Sequence, residues 1–473
     1  MRRTKIVCTL GPATDNYATI KKLIKAGMNV ARLNMSHGTH DEHAARIEMV
    51  KRAREELSTP VAIMADTKGP EIRVRTFEGG RIELAVGAEF TLTTKEVEGN
   101  GKIVSVTFED LPEYVKVGDP ILINDGVIEL TATEVTDCEV RCKVVNGGEL
   151  TNRKSINLPR TTIDMPYISD VDKKDILFAL EQDVDYFALS FVRSVDDVRK
   201  VKQLLATKNA GDVQLIAKIE NRAGVENFKS ILAECDGAMV ARGDMGVEIP
   251  FEELPAIQKE MIKTCYHAGK KVITATQMLE SMISNPRPTR AEISDVANAI
   301  YDGTSATMLS GETAAGKYPV EAVKTMAKIA ETTEKTINFK KRFASLDADI
   351  RSITDAVSHS TCAAAFDLGA KAIITVSQSG YTARKVSRFR PAAPIIAPTT
   401  STKAYNQLAM NWGVTPTMSV HQSNSDDLFR HSIQCALSTG IVRKGDLVVL
   451  TGGVPVGISG NTDTMRIEVI AGE

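Results

Sequence analysis

No stretch of this 473-residue chain is apolar for long enough to cross a bilayer, so its composition points away from a membrane-spanning protein. Net charge is nearly absent as well. With 58 basic and 60 acidic residues the formal charge is −2, and nothing electrostatic favours nucleic acid or a membrane surface as partner. The seven cysteines are odd in number and scattered, mostly inside apolar runs, which argues for buried thiols in a reducing compartment. Cys138 and Cys142 form the only close pair; with no second pair and no histidine beside them they read as structural rather than as zinc ligands. The amino terminus, Met1-Arg-Arg-Thr-Lys-Ile-Val, enters a strand pattern without the apolar core of a signal peptide. A cytoplasmic protein is the expectation.

What is present is ample core material, 43% apolar residues, in a chain long enough for about two to three domains. Strand patterns at 5–10, 30–35 and 61–66 alternate with helical patterns near 20–26 and 41–57, as parallel strands with helical crossovers do. From Glu71 to about Pro166 the texture changes to short Val, Ile and Thr runs punctuated by turns at 78–80, 124–126 and 146–148, the pattern of a small β-barrel or sandwich. The alternation then resumes, with strands at 186–191, 213–220, 239–242, 272–275 and 306–309 and a last helix at 320–331. Eight strands is the closure number of the (β/α)8 barrel. Thr289-Arg-Ala-Glu292, after Pro286 and Pro288, signs one helix start as a capping box. A polar stretch at 335–351 leads to a third series with strands at 371–376, 394–397, 414–418 and 446–451. The predicted fold is α/β: a (β/α)8 TIM barrel from 1–69 and 167–340, an inserted all-β lid at 70–166, and a C-terminal open α/β domain at 350–473.

In such a barrel the reacting groups belong at the carboxyl ends of the strands. Ile216-Ala-Lys-Ile-Glu-Asn221 and Met239-Val-Ala-Arg-Gly-Asp-Met245 end neighbouring strands. Adjacent strands lie about 4.8 Å apart, so Glu220 and Asp244 can reach one divalent cation. Lys218 shares the face of Glu220, because side-chain direction repeats every two residues, and it sets a positive charge beside the metal. Arg32, Asn34 and Ser36 end the second strand, Asp66-Thr67-Lys68 the third, Arg242 with Asp244 the sixth, Thr274-Ala-Thr-Gln277 the seventh and Ser310-Gly-Glu312 the eighth. Each has a structural alternative: Arg32 as a surface ion pair, Lys218 with Glu220 as a bridge between barrel layers, Thr276 and Ser310 as satisfied hydroxyls. Together they supply oxygen ligands for hard cations and Arg and Lys for an anion.

Met35-Ser-His-Gly38, Asp66-Thr-Lys-Gly-Pro-Glu-Ile-Arg73, Lys218-Ile-Glu-Asn221, Val240-Ala-Arg-Gly-Asp244, Ala275-Thr-Gln-Met-Leu-Glu-Ser-Met282, Asn285-Pro-Arg-Pro-Thr-Arg-Ala-Glu292 and Met308-Leu-Ser-Gly-Glu-Thr313, in that order, resemble the pyruvate kinase family. The resemblance implies phosphoryl transfer from phosphoenolpyruvate to ADP, then protonation of the enolate to pyruvate. It implies Glu220 and Asp244 as ligands of Mg2+ (or Mn2+), Lys218 and Arg32 on the transferring phosphoryl group, and Gly243, Asp244 and Thr276 at the substrate. Asn34, Ser36, Asp66 and Thr67 match the K+ site. Glu71, where some members carry lysine, implies dependence on K+. Arg73, His37, Lys154 and Asn34 fall at the nucleotide, although Ser155 and Arg160 stand where the family usually has glycine. Thr276, Ser310 and Glu312 align with the protonated face of the enolate, and a water relay ending in Glu312 is the expected donor because a threonine hydroxyl is too weak an acid alone.

In the third domain, Ser377-Gln-Ser-Gly-Tyr-Thr382 precedes a helix bearing Arg384, Lys385 and Arg388. The loop reads either as a simple helix cap or, by the resemblance, with the Gly-rich segment 452–460, as the seat of a phosphorylated effector: Ser377, Gln378, Ser379, Gly380, Tyr381 and Thr382. A homotetramer is also implied. The competing expectations are another Mg2+-dependent barrel acting on pyruvate or its enolate, an aldolase or lyase, and a silent metabolite-binding homologue. Retention of Arg32, Lys218, Glu220 and Asp244 speaks against the last.

Overall fold

A computed structural model of the chain describes residues 1–159, 161, 163, 165–346, 349–454 and 460–471. Eight parallel strands close a barrel: β1 Lys5–Thr9, β2 Val30–Asn34, β3 Ala62–Asp66, β4 Tyr186–Leu189, β5 Gln214–Ile219, β6 Gly237–Ala241, β7 Lys271–Ala275 and β8 Ala306–Leu309. Each pairs with its sequence neighbours, and β8 with β1. The strands are buried on both faces, as parallel strands under a helical layer must be, so they read as continuous apolar runs rather than alternating ones. Val7, Met64, Tyr186, Ile216, Met239 and Met308 fill the interior. The capping box forms as expected: Thr289 Oγ1 accepts from Glu292 N at 3.3 Å, and Glu292 Oε2 from Thr289 N at 2.7 Å.

Between β3 and β4 the chain builds a seven-stranded sheet with its own core of Phe77, Phe90, Ile121 and Leu130. Its edges meet at the bridge Val74–Val106, with Arg75 N donating to Ser105 O at 2.8 Å, so the sheet rolls into a small barrel. The exit from β3 passes Gly69 at φ +72°, where a Cβ would stand 2.8 Å from Ser190 O. Only glycine meets both conditions at no steric cost.

The C-terminal sheet has strands β9 Ala372–Thr375, β10 Ile395–Thr399, β11 Val414–Met418, β12 Leu447–Gly452 and β13 Thr464–Val469, in the order β11-β10-β9-β12-β13. The antiparallel edge strand β13 was not expected from the sequence. Its Met465, Ile467 and Val469 alternate with polar residues but lie 38%, 45% and 57% exposed, so the apolar face does not mark a core.

This domain stoppers the amino-terminal end of the barrel. Met410 enters the interior cluster, a burial worth about 1.5–3 kcal/mol. Lys5 Nζ donates to Val414 O at 2.7 Å, Tyr186 Oη to Gln407 O at 2.5 Å and Gln214 Nε2 to Gln407 Oε1 at 3.0 Å, while within the barrel Lys271 Nζ donates to Gln214 Oε1 at 2.6 Å. Burial pulls both lysines down to about 7; Arg2 and Glu334 face Lys5, while Asp236, Arg384 and Lys270 face Lys271. A lysine lowered in the folded state binds more protons when unfolded, so it adds stability as pH rises from about 7 toward the ordinary lysine value of about 10.4. The thermal midpoint of the protein is therefore expected to climb between pH 7 and 9 more steeply than that of a Lys5→Met, Lys271→Met double variant, as scanning calorimetry would read. Parallel pH profiles would contradict the assignment.

Candidate active site

The carboxyl ends of the strands and the inner side of the insert enclose a cavity of about 620 Å³. At its floor, β5 brings Lys218 into a buried network. Lys218 Nζ lies 3.0 Å from Asp66 Oδ1 and 3.0 Å from Glu220 Oε1, and donates to Ser190 Oγ at 2.6 Å. Asp66, ending β3, also accepts from Arg32 Nε at 2.6 Å, while Arg32 Nη1 donates to Thr9 Oγ1 at 2.9 Å. Ser190 Oγ donates to Thr67 O at 2.6 Å. Burial works against the Lys218 ammonium, yet Asp66 and Glu220 hold its pKa above the ordinary value. Against burial, Arg32 and Lys218 hold Asp66 below its usual value. Both groups are thus fixed in their charged forms.

Glu220 differs. It is wholly buried; Oε2 accepts from Phe191 N at 2.6 Å, but Oε1, although close to Lys218, has no hydrogen bond. Burial pushes its pKa up to about 8, and the Asp244 carboxylate adds to the rise despite Lys218. An unsatisfied buried oxygen costs about 1–3 kcal/mol, more when charged, and a hard cation would relieve both strains. Asp244, in the first turn of the helix Arg242–Glu248 directly after β6, lines the same cavity. These hard oxygen donors suit Mg2+ or Mn2+. Among the described residues no group of three or more His, Cys, Asp or Glu is placed to hold a metal, so substrate and water oxygens would complete the coordination.

Arg32, Asn34, Ser36, His37, Arg73, Lys154, Lys218, Glu220 and Asp244 all line the cavity. Asp66 and Thr67 are buried and do not line it; Asp66 is already engaged by Arg32 and Lys218. Burial, with Arg73, Arg32 and Lys154 close by, lowers the pKa of His37 and marks an electropositive wall. Glu71 Oε2 accepts from Arg73 Nε and Nη2 at 2.9 and 2.6 Å. Ser155 also lines the cavity, whereas Arg160 lies outside the described residues.

Thr276, Gly243 and Glu312 do not line the cavity. Thr276 Oγ1 donates to Ala275 O at 2.6 Å and accepts from Gly243 N at 2.8 Å. Thr276 and Gln277 have φ +66° and +52°, a left-handed pair costing about 1–3 kcal/mol each without glycine. Arg242, ion-paired to Asp295 at 2.6 Å, holds that turn by donating to the Thr276 carbonyl. Glu312, 1% exposed, accepts from Leu279 N at 3.0 Å and Ser310 N at 2.7 Å, tying together the loops after β7 and β8. A relay ending at Glu312 therefore meets a carboxylate already occupied by two amides.

Sequence reasoning missed Thr9 and Ser190. Thr9 ends β1 and Ser190 directly follows β4, two strands whose carboxyl ends offer a hydroxyl and no charge to single out. It also missed Asn157 Nδ2 donating to Glu248 Oε1 at 2.8 Å, which ties the insert to the barrel and pairs residues too distant in sequence to associate by pattern. In the C-terminal domain, Ser377, Gln378 and Thr382 line a small cavity of about 60 Å³ with Gly453 and Gly460. Ser379 and Gly380 do not line it, Tyr381 faces a different cavity, and residues 455–459 of the Gly-rich segment lie outside the described residues.

The family model for "Pyruvate kinase, barrel domain" matches residues 1–323, and that for "Pyruvate kinase, alpha/beta domain" matches residues 355–468. The chain is 49% identical over 473 residues to the pyruvate kinase of Bacillus licheniformis, covering 99% of this chain and 81% of that one. It is 47% identical over 472 residues to that of Clostridium acetobutylicum, covering 99% and 100%. The pyruvate kinase of Geobacillus stearothermophilus is 48% identical over 473 residues, covering 99% and 81%. The matches run across the barrel that carries Lys218, Glu220 and Asp244 and across the C-terminal sheet alike, and the chain belongs to the pyruvate kinase family.

Proposed function

We propose that the chain transfers the phosphoryl group of phosphoenolpyruvate to ADP, giving ATP and an enolate that is protonated to pyruvate, the closing step of glycolysis. The observation that carries this is the buried Lys218 ammonium, set between Asp66 and Glu220 at 3.0 Å from each, beneath a cavity whose wall bears Asp244. Phosphoryl transfer is governed by positioning and preorganised charge, and this ammonium is fixed before substrate arrives. Arg32 commits Nε and Nη1 to Asp66 and Thr9, leaving Nη2 without a hydrogen bond among the described residues and free to grip the same phosphate. Glu220 and Asp244 would hold Mg2+ or Mn2+, which would supply Lewis-acid stabilisation of the reacting anion there.

Arg73, His37, Lys154 and Asn34 receive the nucleotide phosphates. The insert acts as a lid that keeps water from competing for the phosphoryl group, and the Asn157–Glu248 contact supports its closed position. Gly243, next to Asp244 in sequence, donates its N–H to Thr276 Oγ1 at 2.8 Å, and these two are the groups proposed for the substrate face that takes up the proton. A water there is the donor, with Glu312 fixing the loops around it. A phosphorylated effector at the 377–382 loop, a homotetramer and a cytoplasmic location follow the family.

Asn34, Ser36, Asp66 and Thr67 offer side-chain and carbonyl oxygens for K+, and Glu71 puts a carboxylate, not an ammonium, beside them. Pyruvate production from phosphoenolpyruvate and ADP with Mg2+ tests both parts. Turnover is expected to fall at least about tenfold when K+, Na+ and NH4+ give way to a bulky organic cation, the scale of a lost electrostatic contact. Full turnover in that buffer would remove the monovalent site, and no pyruvate in any salt would remove the activity itself.

A further inference from the structure

Lys68 follows β3 by two residues, beside the Gly69 turn that leads into the lid, and its side chain lines the active-site cavity. Its Nζ lies 2.9 Å from Asp175 Oδ2 and has no other ion pair or hydrogen bond among the described residues. An ammonium carries three donors, so this one has donors left for a ligand. The side chain of Asp175 is buried, while that of Lys68 is 33% exposed. The pair therefore anchors a cation from behind and leaves its front to the cavity.

The anchor is elaborate for a hinge. On the helix Asp170–Glu181, which follows the return from the lid, Asp172, Asp175 and Phe178 are spaced three residues apart and share a face. Asp172 Oδ1 accepts from Gly69 N at 3.0 Å, Asp175 Oδ1 lies 2.7 Å from His40 Nε2, and the Phe178 ring stacks on His40 with centroids 4.2 Å apart. Buried carboxylates are costly unless paired, and a helix that needed only to pack would carry apolar residues on this face. Here two buried acids hold consecutive residues, Lys68 and Gly69, and so fix where the ammonium stands before a ligand arrives.

The place of Lys68 selects the ligand. β3 pairs with β2, which leads to Asn34 and His37, and the chain beyond Lys68 leads to Arg73; these are groups proposed for the nucleotide. Glu220 and Asp244, proposed for the metal, follow β5 and β6, farther round the barrel. The Arg73 charge is already answered by Glu71 at 2.6 Å, whereas the Lys68 counter-ion is shared with His40. We propose that Lys68 binds the diphosphate of ADP, and that Asp175 and His40 are positioning residues that present its ammonium. This rests on the phosphoryl-transfer reading and adds a cation to its nucleotide site.

The test follows pyruvate formation by the full-length protein with Mg2+ and K+, and ADP binding with Mg2+ by calorimetry. Lys68→Met should raise both KM and Kd for ADP about tenfold, the effect of one lost charge-assisted hydrogen bond, and change KM for phosphoenolpyruvate less than about twofold. Lys68→Arg should keep most of the affinity, and Lys68→Gln, which retains a donor to Asp175 without the charge, gives the same reading where methionine loosens the hinge. Asp175→Asn should raise Kd for ADP severalfold. Combined with Lys68→Met it should cost less than the product of the two single effects, because one residue acts through the other. An unchanged Kd for ADP in Lys68→Met and Lys68→Gln would overturn the proposal. So would equal rises in KM for both substrates with a lowered thermal midpoint, the mark of a hinge tie alone. Absence of pyruvate from the unsubstituted chain would strike the phosphoryl-transfer reading, and Kd for ADP would still decide the part of Lys68.

Discussion

Lys218→Met is expected to lower turnover by about two orders of magnitude or more, the scale of a lost preorganised electrostatic group, with the fold retained. Methionine keeps the length of the buried stem, and volume-conserving changes usually cost under about 1.5 kcal/mol in packing. The exposed risk is electrostatic, because Asp66 and Glu220 lose a shared counter-ion. Asp66 retains Arg32 at 2.6 Å. Glu220, already raised to about 8, can take up a proton when no metal is present. The loss should appear in kcat more than in KM for phosphoenolpyruvate, since the ammonium acts chiefly on charge that develops in the transition state. Steady-state kinetics beside circular dichroism checks this, and near-normal turnover would remove Lys218 from the mechanism.

Glu220→Gln should do more. The amide oxygen can still accept from Phe191 N, now at 2.6 Å from the carboxylate, so the local backbone keeps its partner. What disappears is one of two anionic ligands. Lewis-acid stabilisation by a metal is worth several kcal/mol, and each 1.36 kcal/mol is tenfold, so turnover should fall by about three orders of magnitude. Asp244→Asn should follow it. Raising Mg2+ should recover part of the activity in either variant and none in Lys218→Met, which separates a weakened metal site from a lost cation. Equal responses of the three variants to Mg2+ would contradict this division.

The barrel was legible because its strands are short apolar runs separated by amphipathic helices, and because polar and charged residues follow those runs at their carboxyl ends. Lys218, Glu220 and Asp244 could be placed beside one another from strand order alone. Ser190 and Thr9 stayed hidden because hydroxyls end strands for ordinary reasons, and only the Lys218 and Arg32 contacts distinguish them. Glu312 was legible as a residue but not as a buried acceptor of the Leu279 and Ser310 amides, since its loops meet only in three dimensions. The left-handed Thr276 and Gln277 carry no glycine signal; their turn is enforced by Arg242, the first residue of the helix after β6. The β13 edge escaped notice because its alternating apolar residues face outward.

Titration of the nucleotide-free protein with Mn2+, followed by electron paramagnetic resonance, tests the metal site most directly. One bound Mn2+ per chain is expected, held more weakly as pH drops below about 8 and Glu220 keeps its proton, and lost in both Glu220→Gln and Asp244→Asn. Mn2+ held by those two variants as tightly as by the unsubstituted chain would contradict the account.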